Sequence, residues 1–386
     1  MNEEPTDRKH VFLVDGSGFI FRAFHALPPM SRDDGTPTNA VFGFTNMLIK
    51  LIEDLKADHC AIIFDTARKT FRNDVYEEYK ANRPPPPDEL IPQFALIREA
   101  VRAFDIACIE MEGYEADDLI ATYTRLAREQ DADVTIVSSD KDLMQLVGPN
   151  IKMFDPMKSK DIGVEDVIEK FGVGPQHVID VQALAGDTSD NVPGVPGIGI
   201  KTAAQLINEF GDLESLLERA SEIKQPKRRD SLIDHAEMAR ISKILVTLKQ
   251  DVDVSQPLSK LTLEKPDPLK VLEFLRAQGF KRLIARFEAE AQQEFGDKLS
   301  LSIPTNKTEK KYELIDDVKS LNEWVALIEK NGLVAFDTET DSLNASQANL
   351  IGISLGVSVG TACYIPLRHE TGGDQTELLG KSKLDV

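Results

Sequence analysis

The sequence has few cysteines and no long apolar runs, and each shortage excludes a class of protein. Its three cysteines, in 386 residues, lie far apart and give neither a disulfide framework nor a zinc-ligand spacing. No apolar run approaches the roughly 20 residues that span a bilayer. The N-terminal residues MNEEPTDRKH lack the charged and then apolar plan of a signal peptide. We therefore expect a cytoplasmic protein with no membrane partner.

Basic residues are also scarce, with 45 Lys and Arg against 65 Asp and Glu and a net charge of −20. At first sight this balance argues against a nucleic-acid partner. The basic residues cluster locally, however, around Arg72, Lys80 and Arg83 and again between Lys224 and Arg229. A local contact with nucleic acid therefore remains open. The length predicts two or three domains.

Strand-like and helix-like patterns alternate in the first part of the chain. The runs His10–Val14, Cys60–Phe64 and Val134–Ser139 read as strands, and helical spacing separates them. This alternation predicts an α/β fold with a mostly parallel sheet flanked by helices. We expect an α/β catalytic domain at residues 8–165 with an inserted arch at 66–91, a helical subdomain at 166–290, a linker at 291–311 and an incomplete domain at 312–386.

Acids follow each of the three predicted strands, as Asp15, Asp65 and the pair Asp140 and Asp142. In open parallel sheets, ligands bind beyond the carboxyl ends of the strands. Crowded carboxylates repel one another unless cations hold them, and oxygen ligands favour Mg²⁺ or Mn²⁺. The pattern therefore indicates a divalent-metal enzyme.

Each acidic segment also has a structural explanation. Asp15 stands in a strand-to-helix turn, and Asp65 is typical of a helix N-cap. Glu115, Asp117 and Asp118 would complement the dipole of a helix that begins there. What favours the metal site is that the acids recur together at strand ends.

A further acidic segment, Ala185–Asn191, precedes a helix–hairpin–helix pattern at Val192–Ala203. Glycines allow the tight turn, and the helix that follows presents free N–H groups to a phosphate. Such a hairpin binds the sugar-phosphate backbone without reading bases. The alternative is a plain αα-hairpin.

These segments, together with IIFDTARKTFR, YKANRPPPP, GYEADDLIATY and VSSDKDLMQLV, resemble the 5′ nuclease domain of bacterial DNA polymerase I and the wider flap-endonuclease superfamily. The resemblance covers about Arg8 to Ala289 and implies a PIN-like 5′ nuclease fold. It also implies a site for two metal ions on Asp15, Asp65, Glu115, Asp117, Asp118, Asp140, Asp142, Asp187 and Asp190.

The resemblance further implies catalytic roles at the scissile phosphate for Arg72, Lys80 and Arg83. Tyr79, or Tyr76, would stack on a base. The hairpin would bind DNA through Gly197, Ile198, Gly199, Lys201 and Thr202, and its carbonyls between Val195 and Ile200 could hold K⁺.

The segment from Val334 to Leu343 resembles the first motif of the proofreading 3′–5′ exonuclease of polymerase I. Asp337 and Glu339 would lie on one face of a strand, as two ligands of one metal do. The later acidic motifs of that RNase H-like domain are not found before Val386. We expect a vestigial site, no proofreading, no DNA synthesis and poor folding of residues 312–386.

The expected function is a Mg²⁺- or Mn²⁺-dependent, structure-specific 5′-3′ exonuclease and 5′-flap endonuclease of replication and repair. Its partners would be DNA with 5′ flaps, nicks or RNA primers. The protein would be monomeric and associated with the bacterial nucleoid. The alternative is a DNA-binding fragment without catalysis.

Overall fold

The computed structural model describes residues 8–54, 57–67, 69–295, 311–342, 347–358 and 360–367. The chain divides into two compact units, residues 1–296 and residues 297–386. Among the helices of the described residues, none is long and apolar enough to cross a membrane.

The first unit is built on a six-stranded sheet of order β3-β2-β1-β4-β5-β6. All neighbouring strands are parallel except β5 and β6, which are antiparallel. The parallel order places the carboxyl ends of β1, β2 and β4 at one edge. The strands are β1 His10–Asp15, β2 His59–Ile63, β3 Ala107–Ile109, β4 Asp133–Val137, β5 Ile151–Asp155 and β6 Lys160–Ile162.

The helices that surround and extend this sheet are mostly amphipathic, with one face in the core. In the first unit they are α1 Gly16–Ala26, α2 Asn39–Asp54, α3 Phe71–Val75, α4 Gln93–Ala103, α5 Ala116–Glu129, α6 Val164–Phe171, α7 Val178–Ala185, α8 Ile200–Phe210, α9 Leu213–Glu218, α10 Pro226–Asp234, α11 Ala236–Val246, α12 Pro268–Ala277 and α13 Lys281–Phe295.

The two faces of β1 show why the sheet is covered on both sides. Val11 and Leu13 are fully buried in the core that includes Leu119 and Ile120 of α5. Phe12 and Val14 alternate onto the opposite face and are also buried. Strands buried on both faces read as continuous apolar runs, which is why the sequence reveals them.

The predicted α/β class and the mostly parallel sheet are confirmed. The strands expected near residues 10, 60 and 134 are present, with bounds shifted by one or two residues. Strands β3, β5 and β6 were not predicted, because β3 and β6 are three residues long and β5 alternates buried with exposed positions. Asp142 was expected in extended backbone; it begins a 3-10 turn instead.

The described residues of the second unit form a four-stranded sheet of order β7-β10-β9-β8 and one helix. Its small core includes Ile315, Trp324 and Cys363. The expectation that this region is poorly folded is therefore wrong for its described residues. The elements are β7 Lys311–Leu314, α14 Val318–Asn331, β8 Ala335–Thr340, β9 Leu350–Ser358 and β10 Thr361–Pro366.

Candidate active site

Three of the predicted acids lie together at the carboxyl edge of the sheet. Asp15 ends β1, and its Oδ2 accepts a hydrogen bond from Ser138 Oγ at 2.9 Å. The same hydroxyl accepts from the Asp140 N–H at 3.0 Å, so one serine joins the ends of β1 and β4. Asp65 follows β2, and its Oδ1 accepts from the Ala116 N–H at 2.8 Å. This bond ties the end of β2 to the first turn of α5.

The start of α5 contributes two further acids to the cluster. Glu115 is the N-cap residue and is buried, and Asp117 lies in the first turn. Burial raises the pKa of Asp117 well above its usual value, and the charges of Asp140 and Asp15 raise it further. Asp117 therefore lies close to the acids that end β1 and β4.

The loop after α7 supplies the acids on the other side of the cluster. Asp142 accepts a hydrogen bond from Gln182 Nε2 of α7 at 2.5 Å. Asp187 Oδ2 lies 2.6 Å from Lys141 Nζ. Burial and the charge of Asp140 are the main reasons that the pKa of Asp142 is raised, and the charge of Asp190 adds to them, so this loop lies near the acids that follow β4.

The acids nearest the strand ends have no ion-pair partner among the described residues, in contrast to the acids beside the arch. Burial raises the pKa of Asp15 to about 6, and the neighbouring charges of Asp65 and Asp140 add to this effect. Burial likewise raises the pKa of Asp142 to about 7, with the charge of Asp140 as the next cause. A buried carboxylate surrounded by like charges resists ionisation. The strand-end acids are thus a preformed negative site that a cation would stabilise.

The acids on the arch-facing side, in contrast, are paired with Lys and Arg. Lys80 Nζ lies 2.7 Å from Glu115 Oε1 and 3.5 Å from Asp190 Oδ2. The Arg83 guanidinium also donates to Asp190. Burial alone would lower the pKa of Lys80, but the charges of Glu115 and Asp190 raise it above its ordinary value. Lys80 is therefore firmly charged at this position.

The donor set suits a hard divalent cation, since it consists of carboxylate oxygens with no cysteine or histidine among them. A buried acceptor beside them, Gln182 Oε1, has no hydrogen-bond partner among the described residues. In the part of the chain that the structure describes, no three acidic, histidine or cysteine side chains converge as ligands of one ion. Glu115, Asp190 and Asp187 are instead bonded to Lys80, Arg83 and Lys141.

Two predicted site residues, Arg72 and Asp118, form a buried ion pair instead. Arg72 is 1% exposed and Asp118 is 0% exposed. Arg72 Nη1 and Nη2 each donate to Asp118 at 2.7 Å, and Nε donates to the Leu245 carbonyl at 2.8 Å. Asp118 also accepts from the backbone N–H groups of Glu115 and Lys249. Arg72 thus has buried partners on three sides, and both carboxylate oxygens of Asp118 already accept two hydrogen bonds each, an arrangement that differs from the expected roles at a phosphate and at a metal ion.

Tyr79 also differs from its expected role in base stacking. It is 5% exposed and packs in a cluster with Val192, Leu245 and Val246. Its hydroxyl donates to Glu115 Oε2 at 3.3 Å. The ring lies inside the protein because the chain from Thr70 to Arg83 folds down against the acids, and no face is left for a base.

The hairpin residues are grouped on an exposed turn that ends in α8. Gly197 and Gly199 are exposed, Thr202 is half-buried, and Ile198 is buried and anchors the turn. Lys201 is exposed and has no ion-pair partner in the part of the chain that the structure describes. This arrangement matches what a phosphate contact needs: a free ammonium and open backbone at a helix N-terminus.

The hairpin is joined to the acidic loop by close backbone contact. Gly194 and Gly186 have φ of 62° and 67°. A Cβ at Gly194 would lie 2.4 Å from the backbone N of Gly186. A side chain at Gly194 would therefore force the hairpin and the loop after α7 apart. The segment that carries Asp187 and Asp190 is thus fixed to the hairpin.

In the second unit, Asp337 and Glu339 lie on the exposed strand β8, paired in register with Ser354 and Gly352 of β9. Alternation puts both acids on one face, as predicted. No third acid joins them among the described residues.

Sequence reasoning missed three residues that organise the site. Ser138 joins Asp15 to Asp140, Gln182 binds Asp142, and Lys141 neutralises Asp187. The position of Lys141 between two acids could have indicated a role in the site. Ser138 and Gln182 are uncharged residues in apolar runs, and nothing in the sequence around them indicates such a role.

An acid-lined edge of a mostly parallel sheet, joined to a helical region with a hairpin that exposes its backbone, is the PIN-like 5′ nuclease fold. Comparison with protein families agrees. Residues 10–172 match the family described as 5'-3' exonuclease, N-terminal resolvase-like domain, and residues 173–269 match 5'-3' exonuclease, C-terminal SAM fold. Residues 312–383 match a 3'-5' exonuclease family.

The chain is also similar to individual proteins of these families. The chain is 47% identical to DNA polymerase I of Rhizobium leguminosarum over 97% of its own length and 45% of the relative's. It is 38% identical to a 5'-3' exonuclease of Aquifex aeolicus, over 72% of this chain and 94% of that one. A flap endonuclease of bacteriophage T5, solved as a pseudo-enzyme-product complex with DNA and metal ions, shares the fold, with a TM-score of 0.53 and 21% identity over 74% of this chain and 98% of that one.

The chain belongs to the 5′-3′ exonuclease family and contains both the N-terminal and the C-terminal domain of that family. It spans less than half the length of the DNA polymerase I relatives it matches.

Proposed function

We propose that this chain is a divalent-metal-dependent, structure-specific 5′ nuclease. It cleaves 5′ flaps and removes nucleotides or RNA primers from duplex 5′ ends. The observation that carries the proposal is the cluster of buried, under-neutralised carboxylates at the carboxyl edge of the sheet. Such a cluster costs stability unless a cation or a reaction requires it.

Two groups of acids would hold the ions, Mg²⁺ or Mn²⁺. When bound, a pair of such ions supplies a nucleophilic water at neutral pH and stabilises charge on the attacking and leaving oxygens of a phosphodiester. Asp118 is excluded because its oxygens are fully bonded to Arg72 and to the backbone. The first group is Asp15, Asp65, Glu115 and Asp117, and the second is Asp140, Asp142, Asp187 and Asp190.

Lys80 and Arg83 would stabilise the charge of the scissile phosphate. Both currently bind carboxylates that belong to the proposed ligand set. Once metal ions bind those carboxylate oxygens, the Lys80 and Arg83 side chains are free to bind a phosphate at the same place. They line a cavity of about 620 Å³ together with Asp65 and Glu115. Phosphate and carboxylate are thus alternative partners of the same two side chains.

Arg72 acts as a positioning residue in this proposal. Its bonds join α3 at the base of the arch to Asp118 of α5 and to the carbonyl groups of Leu245 and Thr247 at the C-terminal end of α11. It therefore links the arch, the helix that presents Glu115 and Asp117, and the helical subdomain.

The hairpin would bind the phosphate backbone of duplex DNA through Lys201, Thr202 and the open backbone of Gly197 to Gly199, with K⁺ as a further ligand of the carbonyls between Val195 and Ile200. Affinity should fall steeply with salt, because a few localised cations hold the phosphates of an otherwise acidic protein. The bacteriophage T5 relative, which was solved with DNA and metal ions, supports DNA as the partner. We further propose a monomer in the bacterial cytoplasm, at the nucleoid.

Cleavage of an end-labelled 5′-flap duplex by the purified chain, with Mg²⁺ and with EDTA, tests the proposal. We expect Mg²⁺-dependent cutting near the flap junction and none with EDTA. A matched blunt duplex serves as the control for structure specificity. Binding of the flap without any cutting would favour the non-catalytic DNA-binding fragment, and cutting that persists in EDTA would overturn the metal assignment.

A further inference from the structure

The second basic cluster of the sequence, between Lys224 and Arg229, lies at the start of α10 and outside the site described above. Lys224 and Lys227 are exposed, and Arg228 is half-buried. These three side chains have no ion-pair partner in the described part of the chain, whereas Arg229 is paired with Asp230 at 3.1 Å. In a chain with a net charge of −20, this cluster is a local surface of the opposite sign.

The start of α10 lies beside the hairpin turn. Ser231 Oγ of α10 donates to the carbonyl of Pro196, the residue before Gly197, at 2.8 Å. Lys227 and Arg228 precede Ser231 by one helical turn, so they lie on the face of α10 that meets the hairpin. Their cations therefore flank the exposed backbone of the turn.

The core holds the hairpin and α10 in one arrangement. Ile223, just before α10, and Leu232 within it are 5% and 0% exposed. Both belong to the same core as Ile198 of the hairpin. Asp234, an acid on the same face of α10, stands roughly 10 Å along the helix from Lys227. The hairpin and the cations are thus parts of one fixed surface.

We propose that Lys224, Lys227 and Arg228 bind phosphates of the same DNA duplex as the hairpin, so that α10 and the turn form one duplex-binding surface. The inference rests on the proposed function and extends it to α10. Contacts to phosphates position a duplex without reading its bases. Sites for single strands add aromatic side chains that stack on bases. Residues 192–203 and 224–234 contain no Phe, Tyr or Trp, which favours a duplex.

Two double variants and one single variant of the full chain test this surface. Lys227→Gln with Arg228→Gln removes the two cations beside the hairpin and keeps good helix formers. Lys281→Gln with Arg282→Gln is the matched control, because this exposed Lys-Arg pair also opens a helix, α13, and its loss changes the net charge equally. Ser231→Ala removes the bond from α10 to the hairpin and keeps every cation.

The measurement is binding of a labelled blunt duplex, and of one of its strands alone, by fluorescence anisotropy in EDTA at several salt concentrations. We expect the double variant of α10 to bind the duplex about tenfold or more weakly at about 0.1 M salt. The slope of log affinity against log salt should become shallower by about two, since each phosphate contact contributes about 0.9 to it. Ser231→Ala should weaken binding with an unchanged slope, and the α13 control should match the wild type.

Cleavage of the flap substrate with Mg²⁺ separates binding from chemistry. In the double variant of α10 the loss should fall on KM, with kcat little changed, because the cations of α10 contact the duplex and not the reacting phosphate. A fall in kcat with an unchanged KM would overturn the inference.

Wild-type affinity and salt slope in the double variant of α10 would overturn the inference and leave the proposed function standing. Equal losses in the α10 and α13 variants would also overturn it, because net charge alone would then explain the effect. An equal loss for the single strand and the duplex would overturn the assignment to duplex. A wild-type chain that binds duplex but cuts no flap would overturn the proposed function alone.

Circular dichroism checks that the double variant of α10 folds. Should it fail to fold, Lys224→Gln carries the same test, because Lys224 precedes the helix and is exposed. The salt slope should then become shallower by about one. An unchanged slope in this variant would overturn the inference.

Discussion

The two sides of the acidic cluster neutralise their charge in different ways. Asp15 and Asp142, which follow strands, and Asp117, in the first turn of α5, have raised pKa values. Asp15 and Asp142 accept hydrogen bonds from the uncharged side chains of Ser138 and Gln182. On the arch-facing side, Glu115 and Asp190 are paired with Lys80 and Arg83. Buried carboxylates of the same cluster therefore differ in whether a Lys or Arg side chain pairs with them. The difference indicates which acids depend on an external cation and which already have one from the chain.

Asp118 differs from both groups, because the buried Arg72 side chain neutralises it and leaves no room for another cation. Replacing Arg72 with Met leaves Asp118 buried and unpaired, which should cost about 3–5 kcal/mol of the free energy of unfolding. Urea denaturation of the metal-free protein measures the loss. The double variant Arg72→Met, Asp118→Leu is the control and should recover most of it, since removing both charges removes the unpaired one. Equal instability of the single and double variants would show that the ion pair is not what holds this junction.

Removal of one carboxylate from the group without ion pairs should abolish most of the cleavage activity. Asp117→Asn removes a proposed ligand, and cleavage should fall by about 1,000-fold, at the upper end of what a single electrostatic stabiliser contributes. The same change should stabilise the metal-free protein, because it removes a buried charge among like charges. Flap cleavage and thermal unfolding in EDTA test both halves. The control is Glu169→Gln, an exposed acid on α6. A variant that cleaves normally would remove Asp117 from the site.

The arch-facing side should respond differently to loss of its cation. Lys80→Met frees Glu115 and Asp190 from a competing ammonium, so Mn²⁺ should bind several-fold more tightly. Cleavage should nevertheless fall by on the order of 100-fold, because a stabiliser of the phosphate charge is lost. Calorimetry and single-turnover cleavage measure the two effects on the same protein. Weaker Mn²⁺ binding in this variant would contradict the idea that Lys80 and the metal share oxygens.

The comparison also predicts how stability depends on pH. The pKa of Asp15 is about 6 and that of Asp142 about 7, against a usual 3.8. A carboxyl whose pKa is raised in the folded state stabilises the protein below pH 3.8 and loses that contribution as the pH rises through 6 and 7. At about 1.4 kcal/mol per pKa unit, the metal-free protein should lose about 2 kcal/mol or more between pH 5 and pH 8 from these groups.

Adding Mg²⁺ should restore stability at pH 8 and have little effect at pH 5. Denaturation at both pH values, with Mg²⁺ and with EDTA, measures this difference. Asp142→Asn should flatten the pH dependence in EDTA. Equal Mg²⁺ stabilisation at the two pH values would mean that these carboxyls are already ionised at pH 5.

The strand-end acids could be predicted from sequence because local rules fix them. Asp15, Asp65 and Asp140 each follow an apolar strand, and parallel strands end at one edge. The roles of Arg72 and Tyr79 could not be predicted, because both depend on Leu245, which is far away in sequence. Burial of that kind is decided by tertiary packing, and a basic or aromatic residue in a loop reads as exposed until the packing is known.

The contact between Gly186 and Gly194 has a consequence for where the enzyme cuts. The two glycines hold the segment of Asp187 and Asp190 against the hairpin with no side chain between them. If the chain works as proposed, with the hairpin holding duplex and the acids cutting, this contact fixes the distance between the nucleotides that are held and the bond that is cut. A side chain at either glycine should then shift the cut along the strand.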